Sequence, residues 1–312
     1  MIKAYSSMPQ SAKKLVAFLN TDSGTLRSLD IQMVEEKLES CFVSQGYQVE
    51  IHRNGGKQLI ELMTKKAGDP ELDILLAAGG DGTISAAASL AWRHGKTLAV
   101  VPAGTMNLYA RSLDLPLDVE GAIEALAKGQ ERKVDIATAN DHAFVHQLSI
   151  GLHPTTVIKR KNYSYQSRFG KMLAGIRAYL DTIRHMPCHA LEMTIDGVAK
   201  SVRLSSLSVS NNLFEQTAPP RAEKPDGGVL GVYMAGNLSR KDALALAADT
   251  LIGKMQDNSN MLVSSGSSVQ IKRLHKGKPA KSVLDGELWP VPDVIDIKIH
   301  PKALSVLAVP AQ

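Results

Sequence analysis

Ile74-Leu75-Leu76-Ala77-Ala78-Gly79-Gly80-Asp81-Gly82-Thr83 is the stretch that decides how this 312-residue chain folds. Its apolar half has no polar interruption, as expected of a strand covered on both faces. It runs straight into three glycines, and Ala86 to Trp92 then reads as a small-residue helix closed by Gly95. Strand, glycine turn and helix make half of a parallel α/β unit. The turn falls at the carboxyl end of the strand, where open α/β sheets bind ligands. Glycines let a ligand approach backbone N–H groups with no Cβ in the way, and a helix N-terminus favours an anion. Thr83 reads as an N-cap or as a hydroxyl donor to phosphate.

The same alternation extends to either side. Lys14 to Leu19 is a short buried strand ending at Asn20-Thr21-Asp22-Ser23-Gly24. Residues 28 to 45 have helical spacing through Leu29, Met33, Val34, Leu38 and Phe42. Tyr47 to His52 is a strand and Lys57 to Ala67 a helix. Thr97 to Val101 is a further strand, delivering Pro102-Ala103-Gly104-Thr105 to the same sheet edge before a helical stretch from Met106 to Leu113. Asn107 stands on the first turn of that helix. Two Gly-Thr turns from neighbouring strands favour a nucleotide over a bare glycine connection. Gly95-Lys96-Thr97 has the ending of a Walker A loop, but Leu90 stands where its first glycine belongs. Ser85 likewise spoils a dinucleotide fingerprint.

Near residue 133 the pattern changes. Lys133 to Ala139 and Ala143 to Ile150 are strands joined at Asn140-Asp141, and Asp196-Gly197 is a hairpin turn between Leu191–Ile195 and Val198–Val209. Strand-like runs return at Val229 to Ala235, Ser268 to Leu274 and Val294 to His300. Residues 171 to 185 and 240 to 254 read as helices. The second half is therefore mainly antiparallel.

Composition narrows the classes. The chain is 44% hydrophobic and 21% charged, which suits a globular protein with a core that needs no staple. Cys41 and Cys188 fit neither a disulfide framework nor a CxxC metal site, which points to a reducing, cytoplasmic setting. No apolar run approaches the roughly 18 residues a bilayer span needs, and the first residues lack a signal-peptide core. A net charge of +5 suits anionic partners such as nucleotide phosphates or an acidic membrane surface. Aromatic residues make up only 4%, which argues against a nucleic-acid stacking platform.

Gly79 to Thr83 followed by Pro102 to Asn107 resembles the catalytic domain of diacylglycerol and sphingosine kinases, and is most similar to the soluble bacterial lipid kinases. Asn20 to Gly24 resembles their first-strand Asn-Pro-x-Ser-Gly, with Thr21 in place of proline. Leu284-Asp285-Gly286-Glu287 resembles their late Leu-Asp-Gly-Glu, and Val209-Ser210-Asn211 an Asn-containing strand end. NAD kinases and phosphofructokinases share Gly-Gly-Asp-Gly-Thr, so the order of all the motifs carries the resemblance.

The resemblance implies two domains. The first is an N-terminal α/β parallel-sheet domain of the NAD-kinase and phosphofructokinase type over residues 1–132, completed by 301–312. The second is an antiparallel β-sandwich lipid-substrate domain over 133–300. It implies ATP bound by Asn20, Gly24, Gly79, Gly80, Asp81, Gly82, Thr83, Gly104, Thr105 and Asn107, with Mg²⁺ on the phosphates. Asp285 becomes the general base on a lipid hydroxyl, and Glu287 orients groups there or helps hold the metal. Two carboxylates at i and i+2 on an extended segment would share a face. Read from the residues alone, without the resemblance, Asp285-Gly286 is a hairpin turn in preference to a catalytic site.

Departures accompany the matches. Leu108 replaces a customary aspartate, and Gly227 removes one carboxylate of a structural metal site, leaving Asp226 as its remaining ligand. His146 stands where asparagine is frequent and reads as a satisfied sandwich histidine. Two alternatives stay open: a kinase of NAD-kinase type for a soluble substrate, and a catalytically silent nucleotide-binding regulator.

Lys159 to Lys171 carries five cations and three aromatics, ahead of a stripe of Leu173, Ile176, Tyr179, Leu180 and Ile183. The expectation is a lipid entrance and transient membrane contact through residues 159–183, peripheral to the inner membrane surface. An ordinary basic loop before a core-facing helix is the alternative. The sequence leaves oligomeric state open, a dimer included.

Overall fold

The structure, a computed structural model, describes residues 12–160, 162–163, 168–274 and 281–309. Lys161 and residues 164–167 of the expected lipid entrance lie outside the described residues. The chain divides into two compact units. One takes residues up to Thr105, Leu115–Arg132 and the chain from Ser305 onward; the other takes Met106–Asp114 and Lys133–Leu304.

In chain order the first elements are β1 (Lys14–Asn20), α1 (Ile31–Val43), β2 (Gln48–Asn54), α2 (Gly56–Ala67), β3 (Ile74–Gly79), α3 (Asp81–Arg93) and β4 (Thr97–Pro102). Next come α4 (Leu108–Ser112), α5 (Val119–Ala127), β5 (Gln130–Ala139), β6 (His142–Phe144), β7 (Gln147–Gly151), α6 (Leu152–Arg160) and α7 (Arg168–Arg184). The chain continues with β8 (His189–Ile195), β9 (Val198–Leu204), β10 (Ser206–Asn211), β11 (Leu230–Ala235) and α8 (Arg240–Leu251). It finishes with β12 (Met261–Gly266), β13 (Ser268–Arg273), β14 (Lys281–Leu284), β15 (Glu287–Pro290) and β16 (Val294–Ala308).

The first unit is a parallel sheet in the order β2-β1-β3-β4, extended where Val306 of β16 pairs in parallel with Leu98. Every residue of β3 and β4 is buried. Each such Leu, Ile or Val contributes about 1.5–3 kcal/mol on leaving water. Helix α1 begins at Ile31, where the Asp30 side chain accepts the Gln32 N–H, and it buries Val34, Leu38 and Phe42. Leu29 precedes the helix and Met33 lies outside the buried stripe, so both are exposed, contrary to the wider stripe expected from the sequence. The sequence reading passed over α5. Asp118 caps it by accepting the Gly121 N–H at 2.7 Å, and Val119, Ala122, Ile123 and Leu126 form its buried stripe.

The second unit packs two antiparallel sheets face to face. One runs β12-β11-β10-β7-β14-β15 and the other β16-β13-β8-β9. Alternate residues such as Val269 and Ile271 on β13 point inward. They meet Leu148, Ile150, Val209 and Val232 of the facing sheet in one core. A smaller core under α6, α7 and α8 holds Leu152, Ile183, Leu238 and Leu246.

Several expectations change here. Residues 106–114 sit with the sandwich, because the Ser112 Oγ accepts the Ala222 N–H at 3.0 Å and Arg221 reaches Asp114 at 2.9 Å. Val198–Val209 is two strands in different sheets, broken at Ser205, whose N–H turns to the carbonyls of Ala235 and Gly236. Gly151 allows that crossing: at φ +93, a Cβ there would lie 2.3 Å from the Ser205 carbonyl oxygen.

The stripe on α7 splits. Ala174, Ala178, Thr182 and Ile183 form its buried face, and the half-buried Tyr179 donates to the Ala243 carbonyl. Met172, Leu173, Ile176 and Leu180 stay exposed. No helix among the described residues is long and apolar enough to cross a membrane.

Candidate active site

In the first unit, hydrogen bonds lock the ends of β1, β3 and β4 together. Asn20 closes β1. Its Nδ2 donates to the Thr83 Oγ1 at 2.7 Å, and its Oδ1 accepts the Asp22 N–H at 3.0 Å. The Thr25 N–H donates to the Ala103 carbonyl at 3.0 Å, and the Ala103 N–H to the Gly79 carbonyl at 2.8 Å. The Asp22 carboxylate accepts the Gly56 N–H at 3.0 Å, serving the first turn of α2, whose N-cap Gly55 has no side chain.

The two glycines of the turn differ in how tightly they are held. A Cβ on Gly79 would lie 2.7–2.8 Å from the Thr83 Cβ, Cγ2 and Oγ1. A Cβ on Gly80 would come 3.5 Å from the Gly104 Cα, an ordinary contact that places the two glycine turns side by side. Helix α3 begins at Asp81, and its N-cap, Gly80, makes no side-chain cap bond. The N-cap is thus Gly80, not Thr83, because Thr83 lies inside the first turn with its hydroxyl oxygen already accepting from Asn20. A helix opening with no capping side chain leaves its first amides to water or a ligand.

The Ser23 Oγ in the β1 loop is buried and has no hydrogen-bond partner. Such a group calls for a partner the chain does not supply. Gly24 and Thr105 are exposed, and nothing lies within 4 Å of a Cβ placed on Gly24. Asp81 and Gly82 are half-buried in the turn itself.

In the second unit, Asp285 and Gly286 form the two-residue turn of the β14–β15 hairpin, with Leu284 paired to Glu287. Their φ values of 46° and 89° fit the left-handed turn that Asp-Gly favours. The Asp285 carboxylate is 6% exposed and accepts three backbone N–H groups: Val145 at 2.8 Å, His146 at 2.9 Å and Gln147 at 2.9 Å. This explains why the strand expected over Ala143–Ile150 breaks into β6 and β7: the amides at the break turn to Asp285. Glu287 is exposed. Because the chain turns at Asp285-Gly286 instead of staying extended, the expected shared face for the two carboxylates is lost.

Around this hairpin lie groups the sequence reading missed or only touched. Asp135 is fully buried, with its carboxylate accepting from Gly228 at 2.6 Å and Lys302 at 2.7 Å. The Asn211 amide donates to the carbonyls of Asp135 at 3.1 Å and Val145 at 3.3 Å, while its buried Oδ1 has no partner. Asn107 heads α4 at φ 51°, without a side-chain cap bond. Tyr109, two residues on, is buried with no partner for its hydroxyl. Burial, then the charges of Asp285 and Asp135, push its ionisation above the ordinary tyrosine range.

His146 is buried against Phe214, 5.1 Å between ring centroids, and burial pushes its imidazole down to about 3, so it stays neutral. Asp226 is half-buried, and among the described residues no group of three or more His, Cys, Asp or Glu side chains is placed to hold a metal. A Cβ on Gly227 would sit 3.0 Å from the Asn212 Oδ1.

A parallel-sheet unit carrying paired glycine turns, joined in one chain to an antiparallel sandwich, is the two-domain architecture expected from the sequence. Residues 14–139 match the diacylglycerol kinase catalytic domain family. The chain is 26% identical over 256 residues to the diacylglycerol kinase of Bacillus subtilis, covering 79% of this chain and 81% of that one. It is 31% identical over 180 residues to a diacylglycerol kinase of Staphylococcus aureus, covering 53% and 56%. An uncharacterized Synechocystis protein is 25% identical over 246 residues, and the chain spans about half of that relative's length, 54% against 75% of its own.

The crystal structure of a diacylglycerol kinase from Bacillus anthracis superposes with a TM-score of 0.70 at 16% identity, covering 96% of this chain and 98% of that one. A second crystal structure from that organism gives 0.74 at 20% identity over 99% of both chains. These two likenesses concern the fold. Together these matches support a kinase of the diacylglycerol kinase type.

Proposed function

We propose that the protein transfers the γ-phosphate of ATP to the hydroxyl of a diacylglycerol-like lipid. One observation carries the nucleotide half of the reading. The Gly79-Gly80 turn opens an uncapped thirteen-residue helix beside Gly104, with the unpartnered Ser23 hydroxyl in the adjoining loop. N–H groups at a helix N-terminus and a buried hydroxyl are donors suited to phosphate oxygens. In this reading Asn20, Gly24, Gly79, Gly80, Asp81, Gly82, Thr83, Gly104, Thr105 and Asn107 form the ATP site. Magnesium comes with the nucleotide and neutralises its phosphates. Glu287, an exposed carboxylate, is the residue that would help hold it.

The lipid half rests on the similarity to diacylglycerol kinases and on Asp285. Phosphoryl transfer joins the lipid oxygen to the γ-phosphorus as the bond to the bridging oxygen breaks. ADP departs with that electron pair, and the hydroxyl proton passes to a carboxylate. Asp285 suits that task because three amides fix its orientation. The exposed ridge Met172, Leu173, Ile176 and Leu180, with the exposed Arg177 beside it, suits contact with an anionic lipid surface.

The test is to incubate labelled ATP with mixed lipid extracts or with NAD, using wild type and Asp285→Asn. Label in the organic phase, lost in the variant, supports the reading. Label on NAD, or nucleotide binding without transfer, overturns it. Flotation with anionic vesicles tests the ridge: Ile176→Asp with Leu180→Asp abolishes binding, and equal flotation of the variant sinks that part.

A further inference from the structure

We propose that Gln147 and His153 set the specificity of the lipid site, as two neutral donors for the ester oxygens of a glycerolipid. The inference names a substrate class for the kinase reading and rests on it.

Both side chains belong to one polar row on the outer face of a sandwich sheet. On β7, Leu148 and Ile150 point into the sandwich core, so Gln147 and Ser149 share the opposite face. Ser208 of β10 stands directly across from Ser149, with Leu207 and Val209 again turned inward. Helix α6 follows β7 at once and brings His153 back to Ser149.

Each serine holds a longer neighbour. The Ser208 Oγ donates to the Gln147 Oε1 at 2.6 Å, which leaves the amide hydrogens on Gln147 Nε2 for another partner. The Ser149 Oγ lies 2.7 Å from the His153 Nδ1. The other acceptor for the serine hydrogen, the Val283 carbonyl, stands at 3.5 Å, the limit of a hydrogen bond. The hydrogen therefore goes to Nδ1, and the ring carries its proton on Nε2. Desolvation, then the charge of Arg160, pushes the imidazole down to about 4, so the ring is neutral at pH 7. Neither Nε2 has a partner among the described residues.

Access separates the roles. Ser149 is 1% exposed, too deep to attack a substrate, and so serves to orient the ring. Gln147 is half-buried and His153 exposed, both within reach of a ligand. An exposed ring that the surrounding chain still desolvates fits the wall of a recess.

The row starts at the candidate base. The Gln147 N–H donates to the Asp285 carboxylate at 2.9 Å, and the Gln147 carbonyl accepts the Asp285 N–H at 3.0 Å. Ser149, which holds His153, lies two residues further, about 7 Å along the strand. A diacylglycerol has its groups in the same order. Its free hydroxyl is followed within a few bonds by ester carbonyls, which are uncharged acceptors. A sphingoid base has an ammonium there instead, which needs acceptors, and a pair of N–H donors opposes it.

The test uses the full chain with a short-chain diacylglycerol and its diether analogue, which lacks only the carbonyl groups. Losing two hydrogen bonds should lower kcat/KM for the diether about tenfold or more, and sphingosine should fall at least as far. Gln147→Leu with His153→Phe should bring diester and diether within about twofold, at unchanged KM for ATP and a near-normal urea midpoint. Equal use of both lipids by wild type, a preference that survives both substitutions, or a preference for sphingosine overturns the proposal. If the double variant does not fold, Ser208→Ala, which releases the Gln147 amide, takes its place. It should lose several-fold of the preference, and an unchanged preference overturns the proposal. Equilibrium dialysis of the same lipids gives a readout that needs no transfer. Tighter binding of the diester by wild type, with no phosphorylated lipid, removes the kinase reading and keeps the specificity assignment. Equal binding of diester and diether overturns the assignment whatever the transferase activity.

Discussion

Alanine at Gly79 and at Gly80 should give opposite phenotypes, although the residues are neighbours in one turn. At Gly79 the new Cβ would lie 2.7–2.8 Å from three atoms of the Thr83 side chain. Thr83 cannot swing aside cheaply, since it is buried, β-branched and held by the 2.7 Å bond from Asn20. Overpacking of this kind costs about 1–3 kcal/mol, and losing the Asn20 bond adds about 1 kcal/mol. Gly79→Ala therefore loses about 2–4 kcal/mol of stability, read as a lower urea midpoint.

At Gly80 the nearest atom is the Gly104 Cα at 3.5 Å, and φ is −85°, which alanine adopts readily. Replacing an N-cap glycine by alanine costs up to about 1 kcal/mol. The methyl group, however, stands between the two glycine turns, against the Gly104 Cα. Gly80→Ala should keep a near-normal midpoint while ATP binding, measured by calorimetry, weakens by about tenfold or more, equal to about 1.4 kcal/mol or more. Wild-type affinity in Gly80→Ala would refute the phosphate assignment of this turn. Gly79→Ala alone cannot decide the matter, because it disturbs folding first.

Three further outcomes are expected. Ser23→Ala removes a buried hydroxyl that the chain leaves unpartnered, so the unfolding midpoint holds or rises while ATP affinity falls several-fold; unchanged affinity removes Ser23 from the nucleotide site. Asp285→Asn sets an amide against the Val145 N–H and loses at least one charge-assisted bond, lowering stability by about 1.5–3 kcal/mol, so its activity must be normalised to folded protein. His146 titrates near 6.5 when unfolded and at about 3 in the native state. Below pH 6.5 the unfolded chain takes up a proton that the folded one refuses, so stability present at neutral pH is lost on acidification. The loss is about 2 kcal/mol between pH 6.5 and 5, and denaturation of His146→Gln over that range should lack it.

The parallel unit was legible in the sequence because β1, β3 and β4 are buried and end in glycine-bearing turns. Ile74 to Gly79 needed no periodicity to be read as a strand. The limits of α1 were less visible, since Leu29 and Met33 are apolar but lie outside the buried stripe.

The sandwich side was harder for a physical reason: its decisive bonds join residues far apart in the chain. Nothing local to Val145-His146 says that β6 and β7 break there; the cause is a carboxylate 139 and 140 residues away. The same bonds show Asp285-Gly286 to be a hairpin turn whose carboxylate ties down the β6–β7 break. Tyr109 gave no signal, because a tyrosine in a helical stretch looks like any packed aromatic until its hydroxyl is found buried and alone. Spacing on α7 showed an apolar stripe but not which part of it faces water. There Ala174, Ala178 and Thr182, the smaller residues, take the inner side.

The most direct test of the central claim is mass spectrometry of the lipid phase after wild-type protein meets ATP, Mg²⁺ and diacylglycerol micelles. Wild type should yield a time-dependent diacylglycerol phosphate that requires ATP and is absent with folded Asp285→Asn. No phosphorylated lipid from wild type, or equal product from the variant, contradicts it.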